Sequence, residues 1–153
     1  MSVKDKQIYE LRRLSQKYAY TSIQMHETFG RKAGLSGTDH KYLGFIIQKG
    51  QMTAGELAIL TGLTTGAVTS LIDRFEKKQL VRREFDKKDR RKIMIIPNTK
   101  KITSILEPLY KDFQSDTEKL MATFTSEELK ILETYFQKYL KLMEDTTNNL
   151  NAK

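Results

Sequence analysis

From Lys4 to about Phe29 the apolar side chains Ile8, Leu11, Leu14, Tyr18, Met25 and Phe29 recur at steps of three, four and seven. That period lays them along one face and predicts a long amphipathic helix. Gly30 and the stretch AGLSG are expected to end it, with Ser36 or Thr38 capping a second helix through TDHKYLGFIIQK to Gly50. A third helix starts at Thr53. There TAGE forms a capping box, the Thr53 hydroxyl accepting the Glu56 N–H while the Glu56 carboxylate reaches back. It should stop at Gly62, with Leu63 packing beneath the glycine. A fourth helix opens at Thr64 or Thr65 and turns Val68, Leu71, Ile72 and Phe75 inward.

The period then shortens. LVRREF and KIMII are short and β-prone, and the charged segment between them makes the pair read as a hairpin. Pro97 and Asn98 should stop its second strand, and Asn98 or Thr99 should cap a long helix. Ile102, Ile105, Leu106, Leu109, Phe113, Leu120 and Phe124 form the stripe of that helix. Pro108 lies inside it, removes one backbone donor and is expected to kink it. TSEE at 125–128 is a second capping box, opening a final helix carried by Leu129, Leu132, Phe136, Tyr139, Leu140 and Met143. The terminal TTNNLNAK is expected to fray.

Charge now changes the picture. The 153 residues carry a formal net charge of +8, which favours an anionic partner. Half of that sits between Arg82 and Lys92, where seven basic and three acidic residues leave a local net of +4. Two short strands can hold such a loop away from the core, and a polyanion relieves its self-repulsion. With no cysteine there is no disulfide, thiolate metal site or thiol nucleophile. The N-terminus lacks the apolar core of a signal peptide and no run is long enough to span a bilayer, so no membrane partner and a cytoplasmic location are expected.

Residues 53 to 96 therefore run helix, short glycine turn, helix, basic hairpin, the order of a winged helix-turn-helix. In that arrangement the second helix enters the major groove of double-stranded DNA and the hairpin reaches toward the minor groove or backbone. The helix opens with Thr64, Thr65, Gly66, Ala67, Thr69 and Ser70, small residues that allow close approach to base edges, several with hydroxyls to bond there. Arg74 lies one turn beyond Ser70 on the same outer face and is assigned to a guanine edge or a phosphate. Thr53, Arg83, Lys87, Lys88, Asp89, Arg90, Arg91 and Lys92 complete the expected DNA-binding set. The bland alternatives are a solvated loop for the charge run and simple capping for Thr64 or Thr65. Capping does not require Thr69 and Ser70 on the same exposed side.

The stretch TAGELAILTGLTTGAVTSLIDRFEKKQLVRR followed by DKKDRRKIMII strongly resembles the MarR family of transcription regulators, over about residues 40 to 97. The family's wing holds an Asp-x-Arg element, matched by Asp89, Arg90 and Arg91. The resemblance implies that Arg91 enters or flanks the minor groove while Asp89 orients the basic side chains of the wing. It further implies a homodimer built from the first helix and the last two, a pseudo-palindromic operator, and a small-molecule effector bound between dimer region and DNA-binding lobe. Repression relieved by that effector is the commoner outcome in the family. Two departures stand out. Gln79 replaces the usual glycine, where a left-handed backbone would cost about 1 kcal/mol. Ile96, Pro97 and Asn98 replace the usual Leu-Thr strand end.

The fold expected is mainly α with a two- to three-stranded β wing, a winged helix-turn-helix with terminal dimerisation helices. Its divisions are an N-terminal dimerisation helix at 1–35, the winged helix-turn-helix at 36–97 and C-terminal dimerisation helices at 98–153. Tyr18, Tyr20, Met25, Phe29 and Phe45 are candidates for an effector pocket, although such positions more often belong to a core. His26 and His40 are the only histidines, too few for zinc without carboxylate help, so neither a metal nor another cofactor is expected. No phosphate-cradling glycine loop, nucleophile elbow or metalloprotease pair is present, so an enzyme is not expected. The rival readings are a ligand-independent architectural DNA-binding protein and a module whose basic wing contacts an acidic protein or RNA.

Overall fold

The computed structural model describes all residues, 1–153. The elements follow in the order α1 Val3–Lys32, α2 Gly37–Lys49, β1 Met52–Thr53, α3 Ala54–Thr61, α4 Thr65–Lys77, β2 Val81–Phe85, β3 Ile93–Pro97, α5 Thr99–Met121 and α6 Ser126–Asn151. The chain divides into two compact units, Met1–Tyr110 and Lys111–Lys153, with α5 running through the division. The winged segment shares its unit with α1 and the first half of α5. No single helix is long and apolar enough to cross a membrane.

Capping chemistry sets most helix starts. Ser36 accepts the Asp39 N–H, Thr53 and Glu56 exchange both bonds of a capping box, and Thr64 accepts the Ala67 N–H. Asn98, not Thr99, caps α5 by accepting the Lys101 N–H, and Thr125 with Glu128 forms the capping box of α6. Gly62 takes a left-handed conformation after α3, and Leu63 packs against the core as expected.

Two expectations are corrected. Gly30 does not end α1; the helix continues to Lys32, and the left-handed turn falls at Gly34 with φ +78°. Gly30 is buried, and a Cβ there would stand 2.6 Å from the Cβ of His40, so its absent side chain lets α1 and α2 meet closely. Residues of TTNNLNAK are helical through Asn151 rather than frayed. β3 stops at Pro97 as expected, with Pro97 in register with Val81 at a position where a missing N–H is tolerated.

The sheet has strand order β1-β3-β2, all antiparallel, so Met52 and Thr53 add a third strand to the hairpin. Its buried face joins α2, α3 and α4 around Leu43, Ile46, Met52, Leu57, Leu71, Ile72, Phe75, Leu80 and Ile95. All four residues expected on the inner face of α4 are buried. By contrast α6 has no buried residue, and its Leu132, Phe136, Leu140 and Met143 are exposed.

Candidate nucleic-acid interface

α3 and α4 meet at 110°, the crossing of a helix-turn-helix, across a turn of three residues. Burial of Val68, Leu71, Ile72 and Phe75 turns the opposite side of α4 outward. That side presents Thr65, Gly66, Ala67, Thr69 and Ser70, all exposed. Thr64 is committed to capping, and Thr69 donates its hydroxyl to the Thr65 carbonyl at 3.0 Å, leaving its oxygen to accept. Thr53 is held in the capping box of α3.

The wing is built on hydrogen bonds from its own carboxylates. Asp86 accepts the N–H groups of Lys88 and Asp89 at 2.7 and 2.9 Å, closing the loop as an Asx turn. Asp89 accepts both the backbone N–H and the Nε of Arg91, each at 3.1 Å. These bonds, Arg91's on Asp89 and the two backbone N–H groups' on Asp86, hold both carboxyls below the ordinary carboxylate range. Arg91 is 91% exposed, so Asp89 aims a side chain that nothing else restrains. Lys87, Lys88, Arg90 and Lys92 are exposed around it.

Two arginines of the expected set are occupied within the protein. Arg74 lays its fork on Asp39 of α2, with Nη2 to Oδ1 at 2.8 Å and Nε to Oδ2 at 3.0 Å. Arg83 of β2 donates to Asp73 at 2.6 Å and also to Glu76, both on α4. The hydrogen bond to Asp73, with that to Glu76, raises the Arg83 guanidinium further above its ordinary range. Arg74 thereby ties α4 to α2, and Arg83 ties the wing to α4. The partners Asp39, Asp73, Glu76 and Asp86 were not marked by the sequence; only the i, i+3 spacing of Asp86 and Asp89 hints at a turn.

The effector candidates do not converge. Tyr18 and Tyr20 are 67% and 73% exposed, whereas Phe29 packs its ring 4.3 Å from that of Tyr110 and Phe45 lies beside Tyr42. Met25 is half-buried on α1. A separate cavity of roughly 240 Å³ lies among Leu35, Leu43, Leu80, Ile102 and Leu106, with Lys78 the one charged residue on its wall. Near the start of α2, the Tyr110 hydroxyl stands between His26 Nδ1 at 2.7 Å and His40 Nε2 at 3.0 Å. Sequence spacing gave no sign of this arrangement. No group of three or more histidine or carboxylate side chains is placed to hold a metal ion.

The sequence profile of the MarR family matches residues 33–92. An uncharacterized HTH-type transcriptional regulator of Bacillus subtilis, YcgE, is 41% identical over 99 residues, which span 63% of this chain and 64% of that relative's length. A MarR family protein from Bacillus stearothermophilus superposes with a TM-score of 0.74 at 23% identity, covering 94% of this chain and 99% of its own. MarR of E. coli in its apo form gives 0.61 at 23% identity, covering 85% and 96%. A mutant MepR of S. aureus, bound to an oligodeoxyribonucleotide, gives 0.56 at 21% identity, covering 88% and 96%. At such identities these structures speak for the fold alone.

Proposed function

We propose, from the match of its winged segment at residues 33–92 to the MarR family, that the chain is a dimeric, sequence-specific DNA-binding transcriptional regulator. One observation carries the reading: a single compact unit presents both an exposed hydroxyl-bearing helix start and a wing whose Arg91 is aimed by Asp89. Thr65, Thr69 and Ser70 face base edges in the major groove, and Arg91 flanks the adjoining minor groove. Lys87, Lys88, Arg90 and Lys92 neutralise phosphates and release counterions. Arg74 and Arg83 serve chiefly to fix α4 and the wing relative to the rest of the unit, since their guanidiniums already have carboxylate partners.

Dimerisation follows from uncovered apolar stripes. Ile8, Leu11 and Leu14 on α1 and Leu132, Phe136, Leu140 and Met143 on α6 are all exposed in the single chain. Apolar faces of that extent are ordinarily covered, and a second copy related by a two-fold axis supplies matching faces. Two recognition helices one duplex turn apart then read a pseudo-palindromic site. The regulator acts as a repressor, and a small-molecule effector that prefers a different helix spacing withdraws it from the operator by its differential affinity.

The test is binding of Arg91→Ala to a duplex recovered by the wild-type protein from genomic fragments. A base-contacting Arg91 predicts a loss of about 1–3 kcal/mol, and a phosphate-contacting one a salt slope smaller by about one. Equal affinity for unrelated duplexes would instead favour an architectural role. A wild-type protein that stays monomeric and ignores DNA at low salt overturns the reading.

A further inference from the structure

Phe85 and Ile93 are 70% and 47% exposed, although they sit on strands whose inner residues are buried. They are register partners at the far end of the hairpin, where β2 and β3 pair Val81 with Pro97, Arg83 with Ile95 and Phe85 with Ile93. Alternate residues of a strand share a face, so Val81, Arg83 and Phe85 point to one side and Ile93, Ile95 and Pro97 to the same side. That side is settled by its other members. Val81 and Ile95 lie in the core, and Arg83 reaches Asp73 and Glu76 of α4. Phe85 and Ile93 therefore continue the face turned toward α4, two residues or roughly 6–7 Å farther toward the wing tip.

β2 begins just after α4 ends, and its third residue already reaches back to Asp73, so the strand returns alongside the helix. The pair consequently lies between the exposed start of α4 and the cationic loop. Its chemistry is mixed: two apolar side chains flank a loop whose five cations, Lys87, Lys88, Arg90, Arg91 and Lys92, outnumber its two carboxylates, Asp86 and Asp89. An apolar protein surface would be repelled by none of these groups but would leave the cations unanswered. An acidic protein surface would answer the cations and leave the apolar pair wet. A duplex strand alternates charged phosphates with the apolar edges of its deoxyriboses and offers both.

We propose that Phe85 and Ile93 form an apolar saddle that packs on the deoxyribose edges of the DNA strand passing from the major groove, held by α4, to the minor groove, held by the wing. The proposal rests on the DNA-binding reading above. The saddle adds affinity that salt does not screen and sets the distance between helix and wing along the strand. It displaces no phosphate counterion, so its contribution leaves the salt dependence of binding unchanged.

The experiment compares the full-length wild type with Phe85→Ser, Ile93→Ser, Phe85→Leu and Arg91→Ala on one duplex selected by the wild type from a random-sequence pool. Affinity is read across a salt series, and deoxyribose contact by hydroxyl-radical footprinting. Phe85→Ser is expected to bind about tenfold more weakly at every salt concentration. Its salt slope should match the wild type, and protection of the sugars between the two grooves should disappear while the flanking protection remains. Phe85→Leu, which stays apolar, should bind within a few-fold of the wild type. Both mutated side chains are exposed, so the thermal midpoints should not move; Ile93→Ser gives the same reading should Phe85→Ser prove unstable. Wild-type affinity and an unchanged footprint in the serine variants overturn the saddle while leaving the regulator reading intact. Failure of the wild-type protein to select any duplex overturns both.

Discussion

The carboxylate of Asp39, 5% exposed on α2, accepts both arms of the Arg74 fork from α4, a pairing that joins residues 35 apart in the chain. Burial alone would push this carboxyl up. The hydrogen bonds from Arg74 and Ser36 and the charge of Arg74 more than offset that, leaving it below the usual carboxylate range. Asp39→Asn should cost about 1–3 kcal/mol in urea unfolding, because the Arg74 end is half-exposed and recovers some solvation. The folded carboxyl is the stronger acid, so the contribution is present above the ordinary value of 3.8 and is lost as pH falls through the lower folded value. An unaltered urea midpoint in Asp39→Asn near neutral pH would show that the fork is incidental.

Gly30→Ala sets two effects against each other. Helix propensity would gain at most about 1 kcal/mol in the last turn of α1. The new Cβ, however, would meet His40 Cβ at 2.6 Å, and that atom is fixed to the backbone of α2. Overpacking of this kind costs about 1–3 kcal/mol, so the net change should be destabilising. Chemical denaturation decides the sign, and a stabilised variant would mean that α1 and α2 separate without cost.

Gln79 is the only residue other than glycine with a positive φ, at +58°. Gln79→Gly should raise stability by about 0.5–1 kcal/mol, since the strain removed exceeds the added freedom of the unfolded chain. The surface bond from Lys101 Nζ to Gln79 Oε1, at 3.0 Å, is lost and trims the gain. A lowered midpoint would show that this bond, rather than backbone strain, governs the turn.

The Tyr110 hydroxyl can donate to one imidazole and accept from the other while both are uncharged. Burial, reinforced by the neighbouring His26, lowers the pKa of His40 from its ordinary 6.5. The unfolded chain then takes up the proton first. Stability should be full above about pH 6.5 and should erode as pH falls below that toward the folded value. Thermal midpoints measured across this range should flatten in His40→Gln. An acid-induced decline identical in wild type and variant would assign the effect elsewhere.

Local signals in the chain were enough for the winged core. Thr53 with Glu56, Gly62, Thr64 and the spacing of Val68, Leu71, Ile72 and Phe75 announce α3 and α4 within a few residues of each other. The period change after Lys78 announces the hairpin, and the Asp89–Arg91 relation is what the family resemblance implies, with the two hydrogen bonds present in the fold. The role of Gly30 is not legible in the chain, because a glycine that ends a helix and one that lets two helices touch look alike in one dimension.

The sequence by itself determined which segments become the helices and the wing hairpin, which residues are able to cap them and that the cations gather at one turn. Those features depend on residues within about a turn of one another. Only the tertiary structure decided that Arg74 and Arg83 answer to Asp39, Asp73 and Glu76, that Tyr110 bridges His26 and His40, and that Phe85 overhangs the core. A charge or a hydroxyl finds its partner by folding distance, and the spacing of letters along a chain does not encode it.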